Sequence, residues 1–362
     1  LYGSGTDRMY ALKTDNTLWG WGWNQYNYFN QSATSGSRSS PVQVGFIQKN
    51  FKTLTQGGTA VYFQDTAGTY SFLGSNTYGG AGDSGTVAKN IPNIRGSLYY
   101  WSAPGFVNAG AAGMGAIKYD GSLWTWGQNV YGNLGSGTTT DRSSPVQVGT
   151  LTNWSKVSIS DTSAALKSNN SLWVWGRNAS GPLGDSTVID KSSPIQVGTL
   201  TDWANFSCGS SYILATKQDG SLWSWGRNDL GSLGSGTTLA RSSPVQVGAL
   251  TNWYQIAAGT DYTSLAVKTD NTLWAWGLNT NGEAGLGTTI ARSSPVQVGT
   301  LTDWAQVSIA QASVAVKTDG TLWTWGLGWY GILGDGTTVS RSSPVQIGTL
   351  TNWAYVNACD AV

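Results

Sequence analysis

Short stretches of alternating apolar and polar residues, separated by segments rich in Gly, Thr and Asp, follow one another along the whole chain. The clearest is Leu-Trp-x-Trp-Gly, which predicts a strand with both indoles on one face because strand side chains alternate sides. A degenerate copy at 70–74 lacks the tryptophans. The copies recur about every fifty residues, a period typical of propeller blades or stacked arrays, and end at Gly22, Gly74, Gly127, Gly176, Gly226, Gly277 and Gly326.

Residues 253–299 illustrate how one repeat is organised. The apolar run 253–257 predicts a buried inner strand, and 264–268 and 273–277 predict two further strands joined by an Asp-Asn turn. After a loop rich in Gly and Thr, 294–299 predicts an edge strand, because its early proline donates no ladder hydrogen bond. Four strands per repeat indicate a four-stranded antiparallel blade.

The two ends of the chain predict that the array closes into a ring. Residues 352–356 match the first strand of an eighth repeat that stops there, and 9–13 match the second strand of a repeat whose first strand is missing. An open array would instead carry polar caps. The expected fold is all-β: a seven-bladed β-propeller of four-stranded antiparallel blades, one domain over 1–362, with blade one completed by 352–362.

Most tryptophans stand at fixed positions of the repeat. Twelve of the 20 belong to Leu-Trp-x-Trp-Gly copies, and six more open the predicted inner strands. We expect these indoles to lie between blades, where each would bury about 150–250 Å². Only Trp23 and Trp329 fall outside this set.

Composition excludes several classes of function. The chain has no histidine, a net charge of +1 and 11% charged residues, so it lacks the commonest catalytic base and the basic surface of nucleic-acid binders. No Ser-His or Cys-His pair, P-loop or zinc-ligand spacing is present, which predicts a protein that is not an enzyme and holds no metal or cofactor. No apolar run is long enough to cross a membrane.

Cys208 and Cys359 occupy similar repeat positions in blades that are far apart in the ring. The Cα atoms of a disulfide lie about 4.4–6.8 Å apart, so we expect no bond between them. Five Asn-x-Ser/Thr sequons occur at about the frequency that a chain rich in Asn, Ser and Thr would show by chance.

The stretch Ser-Leu-Trp-Ser-Trp-Gly-Arg-Asn-Asp-Leu-Gly-Ser-Leu-Gly at 221–234, preceded by Ala-Thr-Lys-Gln-Asp-Gly, resembles the repeat of the regulator of chromosome condensation family. Six of the seven units are similar to it and cover nearly the full chain. The resemblance implies a seven-bladed propeller. It says little about activity, because one fold hosts many functions.

Two departures from that family bear on function. Where its repeat usually has a histidine before the second strand, this chain has Tyr212, Tyr262 or Ser163, and its usual Gln before Leu-Gly is also replaced. The nuclear founder acts on a small GTPase and on chromatin with the help of a basic tail. This chain shows no such tail, so nucleotide exchange is only a secondary hypothesis.

Cations also recur with the repeat, which allows two interpretations: an anion-binding ring on one face, or local pairing with loop carbonyls and neighbouring aspartates. Strict repetition favours local pairing. One set precedes the edge strand, at Arg38, Lys89, Arg142, Lys191, Arg241, Arg292 and Arg341; the other precedes the second turn, at Lys13, Lys118, Lys167, Lys217, Lys268 and Lys317.

Aromatic residues in the loops after the third strand break the repeat. They cluster in blades seven, one, two and three, and the matching loops of blades four to six have none. Such a cluster indicates a protein contact or a sugar-stacking surface, or else rings that seal the closure of the propeller. The candidate partner-binding residues are Trp23, Tyr26, Tyr28, Phe29, Tyr78, Tyr131, Trp329 and Tyr330.

These observations predict a non-catalytic interaction or structural propeller, exposed on a microbial cell surface, an extracellular appendage or a virus particle. Its expected partner is a protein or a glycan bound through the aromatic loops, or further copies of the chain; nucleic acid and membrane insertion are not expected. The alternatives are a secreted enzyme inhibitor and, less favoured, a nucleotide-exchange factor for a small GTPase.

Overall fold

The structure, a computed structural model, describes residues 8–24, 29, 36–44 and 113–358 with their side chains. Five strands between 51 and 109, together with Cys359, are described by their backbone alone. Tyr26, Tyr28 and Tyr78 lie outside the described residues.

The strands fall into groups that follow the repeat. Blade one contains β1 (Arg8–Lys13), β2 (Leu18–Gly22) and β3 (Arg38–Gln43). Blade two contains β4 (Phe51–Gly57), β5 (Ala60–Asp65), β6 (Tyr70–Gly74) and β7 (Lys89–Ile94). Blade three contains β8 (Val107–Ala109), β9 (Gly113–Ile117), β10 (Leu123–Gly127) and β11 (Arg142–Gln147). Blade four contains β12 (Trp154–Ser158), β13 (Thr162–Lys167), β14 (Leu172–Gly176) and β15 (Lys191–Gln196).

The second half of the chain repeats this arrangement. Blade five contains β16 (Trp203–Cys208), β17 (Tyr212–Lys217), β18 (Leu222–Gly226) and β19 (Arg241–Gln246). Blade six contains β20 (Trp253–Ala258), β21 (Thr263–Lys268), β22 (Leu273–Gly277) and β23 (Arg292–Gln297). Blade seven contains β24 (Trp304–Ile309), β25 (Ala312–Lys317), β26 (Leu322–Gly326), the short 3-10 helix η1 (Trp329–Gly331) and β27 (Arg341–Gln346), and β28 (Trp353–Cys359) follows it.

The seven sheets are four-stranded and antiparallel, and they form a closed ring. β28 from the end of the chain pairs with β1 and completes blade one, with Leu12 opposite Tyr355. Each blade contacts the next through its first strand, including β28 with β24 across the closure. The predicted fold, an all-β seven-bladed propeller closed by its terminal strands, is therefore confirmed. No helix long and apolar enough to span a membrane occurs in the described part of the chain.

We call the strands of each blade A to D, from the inner to the outer edge. Because the strands are antiparallel, the A–B and C–D connections lie on one side of the ring, the loop face, while the B–C turns and D–A connections lie on the other, the turn face.

The B–C turn is held by a chain of side-chain hydrogen bonds. In blade six, Asp270 Oδ1 accepts hydrogen bonds from the N–H and the hydroxyl of Thr272, whose oxygen accepts one from Trp274 Nε1. The same relay occurs in blades one, three, four, five and seven, with Asn169 replacing the aspartate in blade four. This short-range chemistry explains why Asp/Asn-x-Ser/Thr-Leu-Trp recurs.

In blades one, four, five, six and seven, the second tryptophan of the Leu-Trp-x-Trp-Gly strand joins neighbouring blades. Its indole is buried, and its Nε1 donates to a carbonyl in the C–D loop of the preceding blade at 2.6–2.8 Å. The pairs are Trp21 with Ile332, Trp175 with Asn133, Trp225 with Pro182, Trp276 with Ser232 and Trp325 with Glu283. For these described tryptophans, the predicted location between blades is confirmed.

Candidate functional site

An asparagine organises the C–D loops of blades three to six. In blade three, Asn129 is fully buried; its Oδ1 accepts the N–H of Leu134 at 2.8 Å, and its Nδ2 donates to the carbonyl oxygens of Thr138 and Thr140. Asn178, Asn228 and Asn279 make the matching bonds in the next three blades. A buried side-chain amide with all its bonds made fixes the course of a loop.

The residue five positions after this asparagine enters the core, and this spacing explains Phe29. In blade one, Asn24 Oδ1 accepts the N–H of Phe29 at 3.2 Å, so Phe29 takes the place that Leu134 has in blade three. Its ring is 0% exposed and packs edge-on against Tyr10 with the centroids 5.6 Å apart. The prediction that Phe29 contacts a partner is therefore wrong, because a buried ring offers no contact surface.

Blade seven lacks the asparagine, and its loop takes a different course. Gly328 stands in its place, and a Cβ atom there would lie 2.3 Å from the carbonyl of Val339, so no side chain fits. The following residues form η1, in which Tyr330 has φ 54° and ψ 15°, in the left-handed region. Trp329 and Tyr330 are 55% and 38% exposed. The position of Trp329 is also exposed in blade three, where Val130 occupies it, so what distinguishes blade seven is that aromatic residues stand there.

This exposed turn rests on blade one. Trp21 Nε1 donates to the carbonyl of Ile332 at 2.6 Å, and the Gly336 N–H donates to the carbonyl of Ser39 at 2.7 Å. A Cβ on Gly331 would lie 2.5 Å from Ser39 Cα, so the two blades are in close contact there. Trp329 therefore stands on a rigid support beside the ring closure.

The remaining described residues of the predicted site are less exposed. Trp23 is partly buried and packs on the cluster around Tyr10 and Phe29. Tyr131 is partly buried in blade three, and the guanidinium carbon of Arg177 from blade four lies 4.8 Å from its ring centroid. Trp23 thus packs within blade one, whereas Tyr131 lies at the junction of blades three and four.

Exposed aliphatic residues extend this surface. Ile189, Leu239, Ile290 and Val339 stand two residues before the first cation of the D strand in blades four to seven, and all are more than half exposed. Sequence analysis missed them because a single aliphatic residue in a loop is ordinary. Their recurrence at one position is the signal that could have identified them.

The lysines before the B–C turns do not form an anion-binding ring. Each Nζ lies over the ring of the first tryptophan of the Leu-Trp-x-Trp-Gly strand in its blade, 3.5–4.5 Å from the centroid. Burial lowers the pKa of Lys13, Lys167 and Lys268. The expected local partners were loop carbonyls and aspartates. Lys217 and Lys317 do pair with Asp202 and Asp303, but the partner shared by these lysines is an indole face.

A groove of about 460 Å³ opens between the outer strands of blades seven and one. Its walls include Trp19, Trp353 and Leu350, with Arg341 and Asp335 among its polar residues. Arg341 Nη2 and Asp335 Oδ2 are 2.7 Å apart. A volume of this size lies within the range of small-ligand pockets, roughly 300–1,000 Å³.

Lys156 is a second feature that sequence analysis missed. Where blades six and seven have Gln255 and Gln306 on their inner strands, blade four has this lysine, whose Nζ donates to Asn205 Oδ1 and to the carbonyl of Phe206 in blade five. Burial lowers the pKa of Lys156 to about 8. Its partners are neutral, so the ammonium has no counter-charge among the contacts described here.

The nearby Cys208 is a free thiol, and burial raises its pKa to about 12, which makes it unreactive at neutral pH. The side chain of Cys359 lies outside the described residues. Within the described residues, no group of three or more Cys, Asp or Glu side chains could hold a metal ion.

The family model of the RCC1-like domain matches residues 107–361. The chain belongs to the RCC1-like domain family. Among curated relatives, the ultraviolet-B receptor UVR8 of Arabidopsis thaliana is 28% identical over 157 residues, which is 40% of this chain and 33% of the receptor. The match thus spans about a third of that relative's length.

Solved RCC1-like propellers share the fold at low sequence identity. Prp20p of Saccharomyces cerevisiae superposes with a TM-score of 0.79 at 18% identity, covering 96% of this chain and 87% of Prp20p. Human WBSCR16 superposes with a TM-score of 0.78 at 17% identity, covering 98% of this chain and 96% of WBSCR16. These likenesses establish the architecture, and membership of this family indicates a protein-interaction propeller.

Proposed function

We propose that this RCC1-like propeller is a non-catalytic interaction module that binds a protein partner on its loop face, at the junction of blades seven and one. The observation that carries the proposal is Trp329, more than half exposed on a turn that blade one supports. Tryptophan and tyrosine are the residue types most enriched among the energetically dominant contacts of protein interfaces.

The geometry of the turn supports this assignment. Tyr330 holds a left-handed backbone conformation that costs about 1–3 kcal/mol for a residue other than glycine. Strain of this kind persists where the surrounding structure imposes it, and it is concentrated at binding sites. Because the turn is already held by blade one, a partner would meet an ordered surface and lose little entropy in ordering it.

Sequence positions extend the proposed contact to blades one and two. Tyr26 and Tyr78 follow Asn24 and Asn76 by two residues, the offset that separates Tyr131 from Asn129. Blades one, two, three and seven thus have tyrosine at the same loop position, and blades four to six have Ser180, Leu230 and Asn281 there. The proposed binding sector accordingly spans four consecutive blades.

We further propose that the module acts outside a cell, on a cell surface, an appendage or a virus particle. In support, only 11% of its residues are charged, and nearly identical Ser-Ser-Pro-Val-Gln-Val-Gly segments recur in successive blades. The structural neighbour Prp20 of yeast also has protein partners: it was solved bound to Kap60, and Prp20p binds Gsp1p and histones.

Photo-crosslinking tests the proposal. A photoreactive phenylalanine at position 329 should crosslink one protein in an extract or culture medium of the source cells, and Tyr330→Ala in the same chain should abolish the adduct. The matched control places the photoreactive residue at Ile290, which is similarly exposed on the loop face in blade six. Equal crosslinking from both positions would contradict the proposal.

A glycan is the second candidate ligand, and the groove favours it, because its volume suits a small sugar and the Arg341–Asp335 pair offers hydrogen bonds. A glycan array probed with the wild type and with Trp329→Ala separates the two ligands. Glycan binding that survives Trp329→Ala would assign the sugar to the groove.

Nucleotide exchange is examined separately by the release of labelled GDP from a small GTPase. Faster release on addition of the propeller would replace the proposed function by exchange activity, and inhibition of a co-expressed enzyme would indicate an inhibitor.

A further inference from the structure

The first residue of each outer strand is a cation, and two blades show how the fold neutralises it. In blade four, Lys191 Nζ lies 3.8 Å from Asp185 Oδ2, and in blade seven Arg341 donates to Asp335 Oδ2 through Nε and Nη2 at 2.9 and 2.7 Å. The aspartate comes from the C–D loop of the same blade. Its other oxygen accepts the N–H and the hydroxyl of a threonine two residues later.

Blades three, five and six lack this aspartate. Ser136, Ser235 and Leu286 stand at the position of Asp185 and Asp335. The cations there are Arg142, Arg241 and Arg292, and their guanidinium groups make no hydrogen bond or ion pair with any residue that the structure describes with its side chain. In blades three to seven, the presence of the aspartate and the pairing of the cation therefore vary together.

Two of these arginines belong to adjacent blades that meet at the loop of Ser235. The N–H of Gly236 donates to the carbonyl of Ser293 at 2.7 Å, which places this loop against the residue that follows Arg292. Arg241 begins the outer strand of the same blade as Ser235. The loop of blade five thus lies in the same blade as Arg241, and its backbone contacts the backbone of blade six next to Arg292.

The loop also offers hydroxyl groups. Ser235 Oγ and Thr237 Oγ1 are 3.1 Å apart, where Asp185 Oδ1 and Thr187 Oγ1 are 2.7 Å apart in blade four. A serine side chain is shorter than an aspartate and has no second oxygen to extend toward the arginine. The loop of blade five therefore keeps the threonine hydroxyl that contacts the aspartate in blade four, but it has no carboxylate of its own.

We propose that Ser235, Thr237, Arg241 and Arg292 form a docking site for carboxylate groups of an acidic protein segment. This inference rests on the proposed function, since it names the chemistry that the partner presents to blades five and six. An aspartate occupies the corresponding position in blades four and seven, which identifies a carboxylate as the group that this loop geometry accepts. Guanidinium groups bind carboxylates through charge-assisted hydrogen bonds.

Fluorescence anisotropy with a dye-labelled hexaglutamate peptide tests the proposal at low ionic strength. The wild type should bind it, and Arg241→Gln and Arg292→Gln should each weaken binding about three- to tenfold, the usual range for one charge-assisted contact at a partly exposed site. Raising the salt concentration should weaken binding further, because exposed charges are screened.

The matched control is Arg227→Gln. This change removes the same charge from the same blade and face, but Arg227 is already paired with Asp229, 2.5 Å away. It should leave hexaglutamate binding unchanged. A loss as large as that of Arg241→Gln would show attraction by overall charge alone and overturn the proposal, as would the absence of binding to the wild type.

A second variant tests the site from the opposite direction. Ser235→Asp supplies an internal carboxylate of the kind that blades four and seven contain, so the variant should fold and should lose peptide binding at least fivefold. Unchanged binding would overturn the proposal. Trp329→Ala should not affect hexaglutamate binding, so failure at blades five and six is distinguishable from failure of the proposed contact at blade seven.

Discussion

Replacing Lys156 by glutamine should stabilise the propeller at neutral pH. The lysine links the inner strands of blades four and five through neutral acceptors, Asn205 Oδ1 and the carbonyl of Phe206. At the corresponding position in blade six, the side-chain amide of Gln255 donates to the carbonyl of Val307 and accepts its N–H, both at 3.2 Å. Glutamine would keep a hydrogen bond between the blades and remove the charge.

The magnitude follows from the pKa of Lys156, which burial lowers from 10.5 to about 8. At about 1.4 kcal/mol per pKa unit, this difference corresponds to an upper limit of about 3.5 kcal/mol. The side chain keeps partial contact with solvent, which screens the charge, so we expect Lys156→Gln to raise the free energy of unfolding by about 1–2 kcal/mol at pH 7.

The sign of the pH dependence distinguishes this cause from others. Between about pH 8 and 10.5 the unfolded chain holds a proton on Lys156 that the folded protein has released, so the stability contributed by this residue rises with pH across that window. The advantage of Lys156→Gln should therefore be largest below pH 8 and shrink as the pH approaches 10.5.

Urea unfolding of the wild type and Lys156→Gln at pH 7, 8, 9 and 10, followed by tryptophan fluorescence, measures this difference. Subtracting the free energy of unfolding of the wild type from that of the variant at each pH cancels the contribution of every other titrating group. A gap that stays constant with pH would show that the lysine charge is not the cause. A variant less stable than the wild type at pH 7 would refute the reasoning altogether.

Three further changes test the packing, each by the free energy of unfolding in urea. Ser235→Asp should form the pair with Arg241 that blade seven shows and stabilise the protein by about 0.5–1 kcal/mol; no gain would mean that the two groups do not meet. Gly334→Ala should destabilise by about 1–3 kcal/mol, because φ is +72° there and the new Cβ would lie 2.9 Å from Trp21 Nε1; a neutral effect would contradict the tight closure. Phe29→Ala should lower the free energy of unfolding by about 3–5 kcal/mol, because Phe29 is a core residue; a loss below about 1 kcal/mol would contradict its buried position.

The periodic part of the fold could be predicted from the sequence because its causes are local. Alternation along each strand, the Asp-x-Thr turn that captures Trp274 in blade six, and the proline of the outer strand act over a few residues and recur in every copy. Ring closure was also predictable, since 352–356 and 9–13 match complementary parts of one repeat.

The candidate site was predictable only in part. Trp329 and Tyr330 stand out in the sequence and are exposed in the structure, but Phe29 has equal aromatic character and is buried. The difference lies in the position within the loop. Phe29 stands at the position of Leu333 in blade seven, which is also buried, whereas Trp329 stands at the position of Val130 in blade three, which is also exposed. Aromatic content alone does not distinguish these two environments.

The sequence by itself determined the number of blades, the strands of each blade and the residues that recur between blades. The tertiary structure decided which cations are neutralised, since Lys268 stacks on an indole, Lys156 meets only neutral acceptors, and Arg241 lacks the carboxylate that Arg341 has. Strand patterns depend on neighbours along the chain. The surroundings of a charge depend on neighbouring strands, loops and blades, and these come together only when the chain folds and the ring closes.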